Sequence, residues 1–345
     1  MFYNEYHTHR WAKNLAHARK LYDTGQYEKL YLGENLKDNE VFPGLRAMAA
    51  HWAGMEQEMP LRLKMLIKGT RRPDFLADKE INSQTMVYAD RFVGDMMEIV
   101  LRDNICSPDR VQLIKEKGLS IPEDWGDQMR KLQADTEKAM KSYRISSQIF
   151  ESWLDTCLRS IANYNRYIAQ SAVITSLFVL KNGENTLKTA IDATAEEFMW
   201  EVSRSFYTNV LPNAGITDIQ DQIDTIFRGT NSDRSIVMGE ETQDGQKTIR
   251  RSILKNCMLF CIYQTVAEKY RLQIRSVGYG ICRFCEAQGQ ANAMISQPSN
   301  VQVSYQRVQS LAIENRACTF DLITIPGNDT ARVQKVQEKV FGKTL

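Results

Sequence analysis

Residues 145–183 read ISSQIFESWLDTCLRSIANYNRYIAQSAVITSLFVLKNG, and this stretch decides the fold. Ile145, Ile149, Trp153, Leu154, Cys157, Leu158, Ile161 and Ile168 recur at three and four residues, the spacing that stacks side chains on one face of an α-helix. The signal reaches back to about Asp127, with room for one break, and Asn182-Gly183 ends it, because glycine accepts the left-handed turn that follows a helix. Glu184 to Leu211 reads as the returning antiparallel helix, stopped by Pro212 and Gly215. The most apolar portion, Ile168 to Leu180, is shorter than the roughly 20 residues a membrane span needs. It also carries Gln170, Ser171, Thr175 and Ser176, so a buried helix is expected and no membrane partner.

Upstream, Trp11, Leu15, Ala18 and Tyr22 share one face of a helix from about His9 to Tyr22, closed by Gly25. Asn39 to Pro43 and Gly69 to Pro73 read as loops around a Met- and Leu-rich helix. Ser107-Pro108, Ser120-Ile-Pro-Glu123 and Thr217-Asp-Ile-Gln220 have the chemistry of helix starts: a hydroxyl to accept from a free backbone amide, then proline or a side chain that reaches back. A helical bundle without strands is predicted up to about Leu211. Downstream, the polar run from Arg228 to Gln246 suggests a boundary, and Ile249 to Tyr270 one further amphipathic helix. From Val301 the period changes to two: Val301, Val303 and Tyr305, then Val308, Leu311 and Ile313, a turn at Asn315-Arg316, then Cys318, Phe320, Leu322, Ile323 and Ile325, ended by Pro326-Gly327. A short helix from Thr330 to Val340 closes the chain. The reading is a mostly helical α+β protein, with a helical domain over 1–215 and an α+β segment over 216–345 that ends in a β-hairpin.

Charge narrows the function. Of 345 residues, 44 are basic and 42 acidic, for a net charge of +2, and no Lys/Arg run exceeds two, so nucleic acid is not an expected partner. The opening Met1-Phe-Tyr-Asn-Glu-Tyr-His7 lacks the basic and apolar regions of a secretion signal. Seven cysteines, an odd number, point to thiols and to the cytoplasm. P-loop, dinucleotide-fold and Gly-x-Ser-x-Gly motifs are missing from the sequence.

What chemistry there is gathers in the last hundred residues. Cys282-Arg-Phe-Cys285 follows Gly278-Tyr279-Gly280, Cys318 opens the second hairpin strand, and Cys257 and Cys261 lie one turn apart. Three readings stay open. Cys282, Cys285 and Cys318 could ligate a metal, zinc being the ion such thiolates take, although a second closely spaced pair is missing. Cys257 and Cys261 could be small core residues. A thiolate beside Arg283 could attack an electrophilic carbon, with Glu286 or Glu314 as the base. The other candidate metal group is His7-Thr-His9 with His17.

One resemblance rests on residues 250–325. A helix, the segment Gly278-Tyr-Gly-Ile-Cys-Arg-Phe-Cys285, and a hairpin whose second strand begins Ala317-Cys318-Thr-Phe320 resemble the end of the L-2-amino-thiazoline-4-carboxylic acid hydrolase-like proteins and of the vinyl-4-reductase small-molecule-binding domain. The chain differs in having Glu314-Asn315-Arg316 before that cysteine, and Ser310 where metal-binding members carry a further cysteine. The resemblance implies a module that encloses a small cyclic organic compound, with hydrolysis of a C–N or C–S bond as the reaction class. Cys282, Cys285 and Glu314 would then be catalytic, and Tyr279, Arg283 and Cys318 would bind substrate, Arg283 through a carboxylate. The rival reading is a non-catalytic helical subunit or homo-oligomer, in which the helix from Trp153 to Leu180 packs against a partner.

Overall fold

The computed structural model describes residues 8–36, 40–117, 124–230, 236–254, 257–314 and 317–342. The expected break in the long helix falls at residues 142–146, between α6 (Trp125–Lys141) and α7 (Ser147–Asn182). Ser146 caps α7 by accepting the N–H of Ile149 at 3.3 Å, and Gly183, at φ 84°, ends it. Before these come α1 (Thr8–Asp23), α2 (Tyr27–Leu32), a two-stranded ribbon of β1 (Glu34–Asn35) and β2 (Val41–Phe42), α3 (Leu45–Thr70), α4 (Lys79–Arg102) and α5 (Pro108–Lys117). After α7 follow α8 (Glu184–Ser205), a π-turn over Phe206–Val210, α9 (Ile219–Thr230), β3 (Ile236–Asp244), β4 (Lys247–Leu254), α10 (Met258–Lys269) and α11 (Ile274–Ser296). The chain ends with β5 (Val301–Gln309), β6 (Cys318–Pro326) and α12 (Thr330–Val336). No helix among the described residues is long and apolar enough to cross a membrane.

Packing follows the apolar faces. α3 lies against both α7 and α8, α4 covers α7 from another side, and α10 and α11 dock on α7 and α8. Trp11, Trp52, Trp153, Tyr164, Phe92 and Phe198 are fully buried in one continuous apolar cluster that runs from Trp11 to Val340. Each such side chain contributes about 1.5–3 kcal/mol on leaving water. Trp153 also donates its indole N–H to the Thr136 hydroxyl at 3.0 Å, which ties α7 to α6. The face of α7 around Trp153 that could have met a partner is covered by this chain's own helices.

Three expectations need correction. Strands begin well before Tyr270: β1 and β2 pair within the helical region, and β3 and β4 form a hairpin where a loop and a helix start were expected. The physical reason is local. Ile249 and Ile253 stand four apart, which mimics a helix, but on β4 that spacing puts both on one face of the sheet with Arg250, Ser252 and Leu254 on the other, and Gly245-Gln246 form a hairpin turn rather than a linker. Gly245 supplies the positive φ, 62°, that the two-residue connection demands. The third correction concerns the start of α9, where Asp218 rather than Thr217 accepts the amides of Gln220 and Asp221, at 2.9 and 3.0 Å. The Ser120 to Glu123 start and the Asn315-Arg316 turn lie outside the described residues.

The C-terminal strands form one antiparallel sheet in the order β3-β4-β6-β5, with the expected hairpin, β5 and β6, at one end. Leu311–Glu314, read from sequence as part of the strand pattern, is a helical turn between its two strands. α11 lies close to β5, and Gly289 makes that approach possible: a Cβ there would stand 2.2 Å from the Tyr305 ring. Tyr305 in turn stacks on Phe320 with centroids 5.3 Å apart. Gly278 does the same for the Leu311–Glu314 turn, since its Cβ would come within 2.5 Å of the Ala312 Cβ. The Gly-Tyr-Gly segment is thus a packing surface on a helix.

Candidate functional site

Period-two alternation sends Arg250, Ser252 and Leu254 of β4 to the same side of the sheet, opposite Leu322, Phe320 and Cys318 of β6. Facing them, Cys285, Gln288, Gly289, Asn292, Ala293 and Ser296 fall on one side of α11 at helical spacing. Between sheet and helix, closed by His51 and Met55 of α3, Val202 and Ser203 of α8, Phe206 and the inner face of α9, is a cavity of about 440 Å³. Phe206 reaches it because α3 has glycine at position 54, where a Cβ would stand 2.2 Å from the ring. A second, smaller cavity of about 20 Å³ adjoins it, and Leu254, Cys285 and Phe320 line both.

The small cavity gathers four of the seven cysteines: Cys257, Cys282, Cys285 and Cys318. Cys282, Cys285 and Cys318, the three weighed above as a metal or reactive group, thus line one cavity, and Cys257 lines it with them. Local structure explains each position. Cys282 and Cys285 sit one turn apart on α11, Cys257 caps α10 by accepting the Phe260 N–H at 3.5 Å, and Cys318 accepts the Leu311 N–H at 3.2 Å. All seven cysteines are thiols. Burial, helped by Cys318 and Cys285 nearby, pushes the Cys282 thiol up to about 12, so it keeps its proton near neutrality. Among the described residues no three of His, Cys, Asp or Glu are grouped so as to hold a metal ion, so the three cysteines share a cavity without forming a ligand set. His17 instead meets Glu34 at 2.7 Å and packs edge-on to Phe42. His7 and the side chain of His9 lie outside the description.

The remaining expected site residues face elsewhere. The Tyr279 hydroxyl donates to Asp192 of α8 at 2.8 Å, and Arg283 donates to the same carboxylate at 3.2 Å and to Glu286 at 3.4 Å. Burial and then Asp192 raise the Tyr279 phenol to about 12. The pair clamps α11 to α8 and lines neither cavity. Glu314 accepts the Ser310 N–H at 2.5 Å while the Ser310 hydroxyl accepts from Ile313 at 2.8 Å, a reciprocal cap on the Leu311–Glu314 turn. Its carboxylate is spent on backbone and does not line either cavity.

The residue that does reach a cysteine from a charged group is Arg62. It lies on α3, buried, with its Nε donating to Glu58 one turn earlier at 2.5 Å. Side-chain exposures of 3% for Arg62 and 0% for Glu58 make this an ion pair removed from water, which persists only when the remaining donors and acceptors are filled. They are filled by the cavity wall: Arg62 Nη2 donates to Cys285 Sγ at 3.3 Å, Nη1 to the Ile281 carbonyl at 3.4 Å, and Gln288 Nε2 to the second Glu58 oxygen at 2.7 Å. The guanidinium also lies 5.4 Å from the centroid of the Phe198 ring. Burial alone would weaken its charge, but Cys285 and Glu58 together outweigh burial and hold the proton more firmly than usual. Sequence reading missed this pair, and the available signal was two opposite charges four apart on the Met- and Leu-rich helix.

No protein-family model, curated protein or solved structure matches the chain.

Proposed function

We propose that this chain binds a small, mostly apolar cyclic organic compound between α11 and the four-stranded sheet, as an enzyme or as a binding protein. The observation that carries the reading is the cavity of about 440 Å³, which falls in the range of roughly 300–1,000 Å³ typical of small-molecule sites. Its walls suit such a ligand: Met55, Val202, Phe206 and Leu322 offer apolar surface, and His51, Arg250, Gln288 and Asn292 offer polar groups to orient it. The resemblance of residues 250–325 to small-molecule hydrolase-like and binding domains supports the same reading. If the ligand is turned over, hydrolysis of a C–N or C–S bond is the class that resemblance implies, with Cys285 as the nucleophile.

Titration with anilinonaphthalene sulfonate, an apolar ring system bearing one anion, tests the cavity directly. Saturable binding to the native chain is expected, at one dye per protein. Asn292→Trp, which places an indole in the cavity, is expected to abolish it while the circular dichroism stays native. Absence of saturable binding, or binding indifferent to Asn292→Trp, would remove the reading.

A further inference from the structure

Resting on this cavity reading, we propose that Cys285 is the reacting group of the site and takes a small cyclic α,β-unsaturated carbonyl compound as a thioether. Of the seven cysteines, Cys285 alone lines the large cavity. Its sulfur faces the Arg62 N–H at 3.3 Å, and a fixed cation beside a partly exposed thiol is the environment in which cysteine acts as a nucleophile.

The other six are poorly placed to compete. Cys106, Cys157, Cys261 and Cys282 are buried, and burial raises each of these thiols above its usual range. Cys257 and Cys318 are half-buried and, of the two cavities, line only the one of about 20 Å³, room for little more than a water molecule.

The electrophile class follows from what surrounds the sulfur. Apolar walls suit a ring. Gln288 is three residues along α11 from Cys285, hence roughly 5–6 Å away at the Cβ atoms, and its amide carries two N–H groups, of which one goes to Glu58. The other is available to a carbonyl oxygen conjugated to the carbon under attack. In the addition, Sγ forms a bond to the β-carbon and the C=C π pair shifts onto the carbonyl as an enolate. The thiol proton leaves to water, and the α-carbon takes a proton from water. Nothing is oxidised or reduced, and no group leaves.

N-ethylmaleimide, a cyclic electrophile of this class, serves as the probe on the unmodified chain. Substoichiometric labelling followed by peptide mass mapping is expected to place the first equivalent on Cys285, at least about tenfold faster than on any other cysteine. Prior saturation with anilinonaphthalene sulfonate is expected to slow that labelling, and Arg62→Lys, which keeps the charge but loses the fork, to slow it several-fold. First labelling at Cys257, Cys318 or any other position would overturn the proposal, as would equal rates at several cysteines. Dye binding on the wild type is read separately, so a dye that binds while Cys285 stays unreactive would defeat this inference and leave the cavity reading standing.

Discussion

Arg62 Nη2 and Cys285 Sγ are 3.3 Å apart across 223 positions of sequence, and this contact joins the helical bundle to the cavity formed with the C-terminal sheet. What holds it is buried or half-buried: the buried Glu58 fixes the guanidinium, the half-buried Gln288 fixes Glu58, and the buried Phe198 lies beside the cation. A change at any of these groups should be felt both in stability and at the cavity wall.

Removing one member of the ion pair should cost more than removing both. Arg62→Met strands the Glu58 carboxylate out of water and is expected to destabilise the fold by about 3–5 kcal/mol. The double variant Arg62→Met/Glu58→Leu should recover part of that loss. Urea midpoints of wild type, single and double variants measure this, and a double variant no more stable than the single would show that the pair is not coupled.

Gly289→Ala tests the contact between helix and sheet. Alanine favours a helix interior by about 1 kcal/mol over glycine. Here, however, its methyl would stand 2.2 Å from the Tyr305 ring. Overpacking of this kind typically costs about 1–3 kcal/mol, so net destabilisation is expected, relieved when Tyr305→Ala is added. Stabilisation by the single change would mean that α11 does not approach β5 as described.

High pH should unfold the chain through its buried thiols. Burial raises Cys157 and Cys282 to about 12 and Cys106 to about 11, from a value of 9.0 for an unperturbed thiol. A folded value above the unfolded one gives stability that is fully present below about pH 9 and is lost as pH rises to about 12, because the unfolded chain releases its protons first. Burial of Tyr31 and Tyr207 acts in the same direction. Denaturation midpoints should therefore hold steady from about pH 7 to 8.5 and fall beyond about pH 9. A midpoint unchanged up to about pH 11 would contradict the burial of these groups.

The helices were legible because their burial is periodic: Trp153, Cys157, Ile161 and Ile168 announce α7 at a glance, and Val301, Val303 and Tyr305 announce β5. β3 and β4 were hidden because the spacing of Ile249 and Ile253 fits two periods at once. The convergence of Cys282, Cys285 and Cys318 could be anticipated from a helix followed by a hairpin. Its chemistry could not. Tyr279, Arg283 and Glu286 form one stripe of α11, toward Asp192, and Cys285, Gln288 and Asn292 form the next stripe, toward the cavity. Residues one or two apart in sequence, such as Arg283, Cys285 and Glu286, therefore serve different neighbours. Arg62 and Glu58 were out of reach for another reason, since what makes them notable is their partners on α11, more than 200 positions away.

The most direct test of the account is a crystal structure of the chain soaked with anilinonaphthalene sulfonate. Electron density for the dye is expected between α11 and the sheet, with its rings against Phe206 and Leu322 and one edge near Cys285. Dye found only on the outer surface, or a cavity already filled by protein side chains at saturating dye, would contradict it.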